Sequence, residues 1–336
     1  MFFLGKDTGI TVSGVGERRL VDLFMELLGD SGVNLLRHPD DAVAVRFGDK
    51  ILVLKTDMFV ASTDMPPKMG FYDVGWKTVI MNVSDLASKG AAPLYFLSSI
   101  GMPGSFQLKD SLDLLKGLRD AASEYGVKVL GGDLGECKEL VVAGFLIGAP
   151  PSGRLIPRKG ARPGDILAVT GCFGLTAAAL KTFMMDLNVD LKMLNIFRKA
   201  MFKPSARVKE GLALANCKGV SSCIDSSDGL LESLLELGKV NNVGFIVEEV
   251  PVCELIGDFA EEYGFNILDL VFRGGEEYEL VVTIRPENVE EVLKAVREAG
   301  GELKIIGRVI KEPHVFCNYK GKRIELRNRG FEHFKK

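Results

Sequence analysis

Aspartates set beside glycine, serine, threonine or proline punctuate this chain over more than half of its length. They stand in His38-Pro39-Asp40-Asp41, Thr56-Asp57, Ser84-Asp85, Gly131-Gly132-Asp133 and Asp225-Ser226-Ser227-Asp228-Gly229. Each lies at or near the end of a segment with strand or helix periodicity. A fold that uses these carboxylates together must therefore bring the ends of distant segments to one place.

The periodicities say which segments those are. Residues 16–28 carry Leu20, Leu23, Phe24, Leu27 and Leu28 at helical spacing. Residues 42–47 and 51–55 alternate and are joined by Gly48-Asp49-Lys50, which predicts a β-hairpin. Antiparallel pairing puts the start of one strand beside the finish of the other, so Asp40-Asp41 and Thr56-Asp57 are expected at the same end. A helix is expected over 73–89, a strand over 94–100 and a helix over 108–125. A short strand over 127–130 runs into Gly131-Gly132-Asp133, and another covers 140–147. The turn-rich Ala149-Pro150-Pro151-Ser152-Gly153 marks the expected boundary between domains at 1–149 and 150–336.

The second half starts again with a strand at 165–170. Gly171-Cys172-Phe173-Gly174 leads from it into a helix beginning at Leu175, a turn that can aim backbone N–H groups at a phosphate. Further strands are expected at 220–224, 245–250, 278–284, 303–309 and 315–319, with helices at 230–238 and 286–299. Helices and strands interleave in both halves, so the fold class is α/β (α+β).

Composition excludes several classes. A net charge of −3 over 336 residues offers no basic surface for nucleic acid. No P-loop, protein-kinase signature or Gly-x-Ser-x-Gly motif occurs. Only three histidines are present, and the six cysteines form no Cys-x-x-Cys, which argues against zinc. The cysteines are expected as free buried thiols of a reducing compartment. No apolar run approaches the ~20 residues of a membrane span and no signal peptide is evident, so a cytoplasmic protein without membrane partners is expected.

Taken singly, Asp beside Gly or Ser is common turn chemistry. Asp225-Ser226-Ser227-Asp228-Gly229 says more, because it joins an apolar strand to a helix. One Ser or Asp is enough to cap that helix. A second carboxylate there is repelled by the first unless a cation sits between them, and the same holds for Asp40-Asp41. Oxygen ligands suit Mg²⁺, which takes few carboxylates per ion and commonly bridges to phosphates. The pattern therefore points to several Mg²⁺ ions and a polyphosphate substrate.

The order of motifs resembles the thiamine-monophosphate kinase family, of the superfamily that includes aminoimidazole ribonucleotide synthetase, selenophosphate synthetase and a hydrogenase maturation factor. Besides the acidic motifs, the matching stretches are Asn82-Val83-Ser84-Asp85-Leu86-Ala87-Ser88-Lys89-Gly90-Ala91, Arg158-Lys159-Gly160-Ala161-Arg162-Pro163-Gly164-Asp165, Gly274-Gly275-Glu276-Glu277-Tyr278-Glu279-Leu280 and Gly330-Phe331-Glu332-His333-Phe334. Ser62-Thr63-Asp64-Met65-Pro66-Pro67 resembles the archaeal branch, where Asp replaces a bacterial His.

The resemblance implies a two-domain fold like aminoimidazole ribonucleotide synthetase. In it the N-terminal sheets of a homodimer join into a barrel and the C-terminal half forms an α/β sandwich. It implies transfer of the γ-phosphoryl group of ATP to thiamine monophosphate, giving thiamine diphosphate and ADP. The implied metal-holding residues are Asp40, Thr56, Asp57, Asp85, Asp133, Asp225 and Asp228. Gly132, Asp133, Arg158 and Ser227 would contact ATP, and Asp64, Glu276 and Phe331 the thiamine phosphate. The acceptor is already an ionised phosphate oxygen, so no protein base is expected.

Three departures stand out: Pro39 where the family has Gly, Leu134 where Thr is usual, and Lys55 where a small hydroxyl residue is frequent. An ammonium at 55 either replaces one metal ion or points away along its strand. The alternatives to this activity are a different acceptor within the superfamily, or a non-catalytic nucleotide-binding protein.

Overall fold

The computed structural model describes residues 9–29, 31–37, 39–327 and 334. Helices α1 (Val12–Val15) and α2 (Glu17–Leu28) precede a five-stranded sheet. Its strands are β1 (Val43–Phe47), β2 (Lys50–Val60), β3 (Ala92–Met102), β4 (Lys128–Glu136) and β5 (Val141–Ala149), in the order β1-β2-β5-β3-β4. The short α3 (Ala61–Asp64) follows β2, and α4 (Phe71–Ser88) and α5 (Leu108–Glu124) cover one face of the sheet.

Alternation decides what that covered face buries. Val53 and Phe59 of β2, Phe96 and Ile100 of β3 and Val142 and Leu146 of β5 pack against Val79, Ile80, Val83 and Leu86 of α4. Helices α4 and α5 meet backbone to backbone, because glycines stand at the contact. A Cβ on Gly75 would lie 2.0 Å from the Leu114 carbonyl oxygen, and one on Gly117 would lie 1.9 Å from that of Tyr72. On the other face of the sheet, Met58 and Tyr95 remain exposed, and β4 is exposed along its whole length.

Two strands are longer than their sequence patterns predict. Thr56 and Asp57 lie inside β2 rather than after it, because β5 pairs with β2 from Val53↔Gly148 to Val60↔Val141. Gly131, Gly132 and Asp133 likewise lie inside β4, parallel to β3. A Cβ on Gly132 would meet the Ser98 carbonyl oxygen at 1.8 Å, so the glycine answers to close strand packing and not to a turn.

The second half holds a seven-stranded sheet in the order β12-β11-β8-β10-β6-β9-β7. In chain order its elements are β6 (Ile166–Val169), α6 (Leu175–Met185), α7 (Leu191–Phe202), α8 (Val208–Asn216), β7 (Val220–Asp225), α9 (Leu230–Asn241), β8 (Gly244–Val247), α10 (Glu254–Tyr263), α11 (Ile267–Arg273), β9 (Leu280–Ile284), α12 (Val289–Glu298), β10 (Lys304–Ile310), β11 (Val315–Tyr319) and β12 (Lys322–Glu325). Only β8 and β11 pair in parallel; the other neighbours are antiparallel.

Leu230, Leu231, Leu234 and Leu237 of α9 pack on one face of this sheet. Leu214 of α8 and Val292 and Val296 of α12 pack on the other. That is the expected α/β sandwich. Helices α7, α8, α10 and α11 were not anticipated from the sequence. Phe197 and Phe202 of α7 join Phe183 and Phe259 in the same core as the α4 and α5 contacts, which ties the second half to the first.

The expectation of free cysteines is corrected at one pair. Cys172 and Cys253 form a disulfide, with Cα atoms 5.1 Å apart. Phe173 and Val252 bridge in parallel beside it, so strand-like pairing holds the two segments at bonding distance. The turn at 171–174 is also not open to a phosphate as the sequence suggested, since the Gly174 N–H donates to the Glu277 carboxylate.

Candidate active site

Helix α4 runs between the two sheets, and the face it turns toward β7 is polar. Ser84, Asp85 and Ser88 recur there at helical spacing, with Lys89 at the helix C-cap. All four are buried. Side-chain oxygens of Asp85, of Asp41 from the segment before β1, and of Asp225 at the end of β7 lie within 4.8 Å of one another.

Neighbouring side chains hold each carboxylate in place. The Ser84 hydroxyl donates to Asp225 Oδ2 at 2.7 Å. The Ser88 hydroxyl donates to Asp41 Oδ2 at 2.6 Å, and Arg158 Nε donates to Asp41 Oδ1 at 2.7 Å. Lys89 Nζ reaches Asp40 Oδ1 at 2.6 Å and Asp41 Oδ2 at 2.9 Å, and donates to the Cys223 carbonyl oxygen at 2.9 Å. The second oxygen of Asp40 accepts the Arg158 backbone N–H at 2.9 Å. Lys55 Nζ lies 2.9 Å from Asp85 Oδ2 and 3.1 Å from Asp57 Oδ1.

Burial and crowding set the electrostatics. Burial, reinforced by the charge of Asp41, pushes the Asp225 carboxyl up to about 7. Burial also raises Asp85 well above the carboxylate range, with Lys55 opposing it. At Asp41 burial acts in the same direction, but Arg158 and Lys89 outweigh it and hold the carboxyl well below its ordinary value. Lys55 is raised despite its burial, because Asp85 and Asp57 favour the ammonium.

These residues fit a small hard cation. All the donors are oxygens, two of the three carboxyls resist ionising without added positive charge, and oxygens of all three converge within 4.8 Å of one another. Asp41, Asp85 and Asp225 would hold such an ion, which would supply neutralisation of phosphate oxygens when bound.

The structure separates the other sequence-picked residues. Strand alternation places Asp57 on the α4 side and Thr56 on the opposite face. There Thr56, Gly132 and Asp133 line a cavity of about 400 Å³ with Ser98, Ser99 and Phe145. Ser227 and Asp228 are exposed on the turn between β7 and α9. Asp64 ends α3, and its Oδ2 accepts the Val60 N–H at 2.7 Å. Glu276 sits at φ 67° in the segment before β9 and pairs with the buried Lys77 Nζ at 2.5 Å. Phe331 lies outside the described residues.

Asp40 was chosen from the sequence, yet Asp41 is the one that faces Asp85 and Asp225. Lys77 and Lys89 were given no role in the sequence reading, although Lys89 stood in a matching stretch. The available signal was their placement eight residues before and four after Asp85, on α4 and its C-cap.

The family model "AIR synthase related protein, N-terminal domain" matches residues 39–149, and its C-terminal counterpart matches 162–320. Thiamine-monophosphate kinase of Pyrococcus horikoshii is 34% identical over 321 residues, covering 95% of this chain and 96% of the relative. That of Nitrosopumilus maritimus is 32% identical over 324 residues, covering 96% and 100%. The solved structure "AaThiL complexed with AMPPCP and TMP" superposes with a TM-score of 0.84 at 25% identity, covering 96% of this chain and 99% of that one. On this full-length match, the chain belongs to the thiamine-monophosphate kinase family of AIR synthase related proteins.

Proposed function

We propose that this protein is an ATP- and Mg²⁺-dependent thiamine-monophosphate kinase, transferring the γ-phosphoryl group of ATP to thiamine monophosphate to give thiamine diphosphate and ADP. The observation that carries this is the buried Asp41–Asp85–Asp225 group, set among fixed cations in a chain whose full length aligns with kinases of that name. Both reactants are anions, so positioning and charge neutralisation make up most of what such a protein must contribute.

The carboxylates would hold the metal, while Arg158, Lys89, Ser84 and Ser88 fix their orientation. We assign Gly132, Asp133, Arg158 and Ser227 to ATP. The cavity lined by Thr56, Gly132 and Asp133 supports that reading for the first two. Asp40, Thr56, Asp57, Asp133 and Asp228 stay as candidate outer contributors to metal binding. We assign Asp64, Glu276 and Phe331 to the thiamine phosphate.

The uncovered sheet face with Met58, Tyr95 and the exposed edge strand β4 supports a homodimer built through the first sheet. The two sheets, one within residues 43–149 and the other within 166–325, support domains at 1–149 and 150–336. Among the described residues no helix is long and apolar enough to cross a membrane, and we place the protein in the cytoplasm.

The test is turnover of purified protein with ATP, Mg²⁺ and thiamine monophosphate, following ADP and thiamine diphosphate together. No diphosphate product at saturating substrates refutes the activity. Asp85→Ala is expected to abolish turnover with the fold retained, and near-normal turnover in that variant refutes its role.

A further inference from the structure

Lys55, Asp57 and Phe59 alternate on β2 and point to the same side, toward α4. This lodges the Lys55 ammonium between two carboxylates, 2.9 Å from Asp85 Oδ2 and 3.1 Å from Asp57 Oδ1. Its side chain is only 19% exposed. A Mg²⁺ or Mn²⁺ ion bridging those same oxygens would lie about 2.0–2.2 Å from each. That is the space the ammonium fills, so the two cations exclude one another there.

The charges around the centre lead the same way. Asp40, Asp41, Asp57, Asp85 and Asp225 meet the fixed cations Lys55, Lys89 and Arg158. With all five carboxylates ionised, as a bound ion requires of Asp85 and Asp225, five against three leave a balance of −2, the charge one divalent ion cancels. Lys89 and Arg158 serve the Asp40–Asp41 side and Lys55 serves the Asp57–Asp85 side. Among the described residues Asp225 forms no ion pair with a lysine or arginine, and its Oδ2 accepts the Ser84 hydroxyl.

We propose that Lys55 is a resident cation of the acidic centre. Its ammonium takes the position between Asp57 and Asp85, so the protein alone holds a single divalent ion, among Asp41, Asp85 and Asp225. Any further ion must arrive with the nucleotide phosphates. The proposal rests on reading those three aspartates as the metal-holding group.

The test counts Mn²⁺ bound to metal-stripped protein without nucleotide, by electron paramagnetic resonance of the free ion during titration. The expected result is one Mn²⁺ per protomer for the wild type and for Lys55→Arg, and two for Lys55→Met. Melting curves with and without Mn²⁺ should show a larger ion-induced rise for Lys55→Met than for the wild type. Equal non-zero counts in wild type and Lys55→Met overturn the role of Lys55. Two or more ions on the wild type overturn it as well, even if Lys55→Met does not fold. No binding by any of the proteins refutes instead the assignment of Asp41, Asp85 and Asp225, an outcome that turnover measurements report separately.

Discussion

Replacing Lys89 by methionine keeps most of the side chain's volume and removes its charge. The lysine is wholly buried, and its ammonium serves Asp40 Oδ1, Asp41 Oδ2 and the Cys223 carbonyl oxygen, at 2.6, 2.9 and 2.9 Å. Breaking a buried ion pair by removing one partner costs about 3–5 kcal/mol. Asp41 keeps Arg158 and the Ser88 hydroxyl, and Asp40 keeps the Arg158 backbone N–H, so the lower end of that range applies. A buried carbonyl left without its donor adds about 1 kcal/mol.

The expected loss is therefore roughly 4 kcal/mol, a large share of the ~5–15 kcal/mol that holds a typical protein folded. Urea unfolding followed by circular dichroism, with a chelator present, measures it. Repeating the titration with Mg²⁺ should recover part of the loss, because a divalent ion can then neutralise Asp41. A difference under about 1 kcal/mol in chelator would mean that the buried pair is not a fixed part of the centre, and the charge balance drawn above would fail with it.

Other expectations come from different parts of the structure. Asp225, pushed up to about 7 from an ordinary 3.8, carries an extra proton in the metal-free folded state between those values. Its contribution to stability is thus complete below the unfolded value and disappears as pH rises through about 7. A divalent ion must displace that proton, so Mn²⁺ affinity should climb between about pH 5.5 and about pH 7.5, and an affinity flat with pH refutes the coupling. Gly75→Ala drives a methyl group to 2.0 Å from the Leu114 carbonyl oxygen. The α4–α5 contact must open, at a cost of about 3 kcal/mol, and an unchanged melting point would contradict that packing. The Cys172–Cys253 bridge closes an 81-residue separation, so its removal by double serine substitution should cost roughly 2–4 kcal/mol. Thiol titration of the denatured, unreduced chain should find four of the six cysteines, and six would disprove the bond.

Much of the architecture was readable because its causes are local. The apolar spacing that marks 73–89 as a helix is the spacing that seats Val79, Ile80, Val83 and Leu86 on the first sheet. The run at 140–147 announces β5 in the same way. Where the sequence pattern stopped short, as at Thr56-Asp57 and Gly131-Asp133, the missing information belonged to the partner strand, whose ladder carries pairing past the end of the apolar run. Helices α7 and α8 were missed because most of what they bury comes from other parts of the chain.

The sequence by itself determined that acidic motifs recur in both halves of the chain and that oxygen-rich, metal-assisted phosphate chemistry is their common use. It also held the alternation that parts Thr56 from Asp57. Three things were left to the tertiary structure. Asp40 and Asp41 are adjacent and chemically identical, and only the approach of α4 and β7 makes Asp41 the one that faces Asp85 and Asp225. Lys55 had two possible directions, and the register of β2 against β5 turned it inward to Asp85. Cys172 and Cys253 became partners only when the 171–174 turn and the segment before α10 were laid side by side. In each case the deciding quantity is a distance between residues far apart in the chain. Local residue preferences carry no information about such distances, and packing sets them.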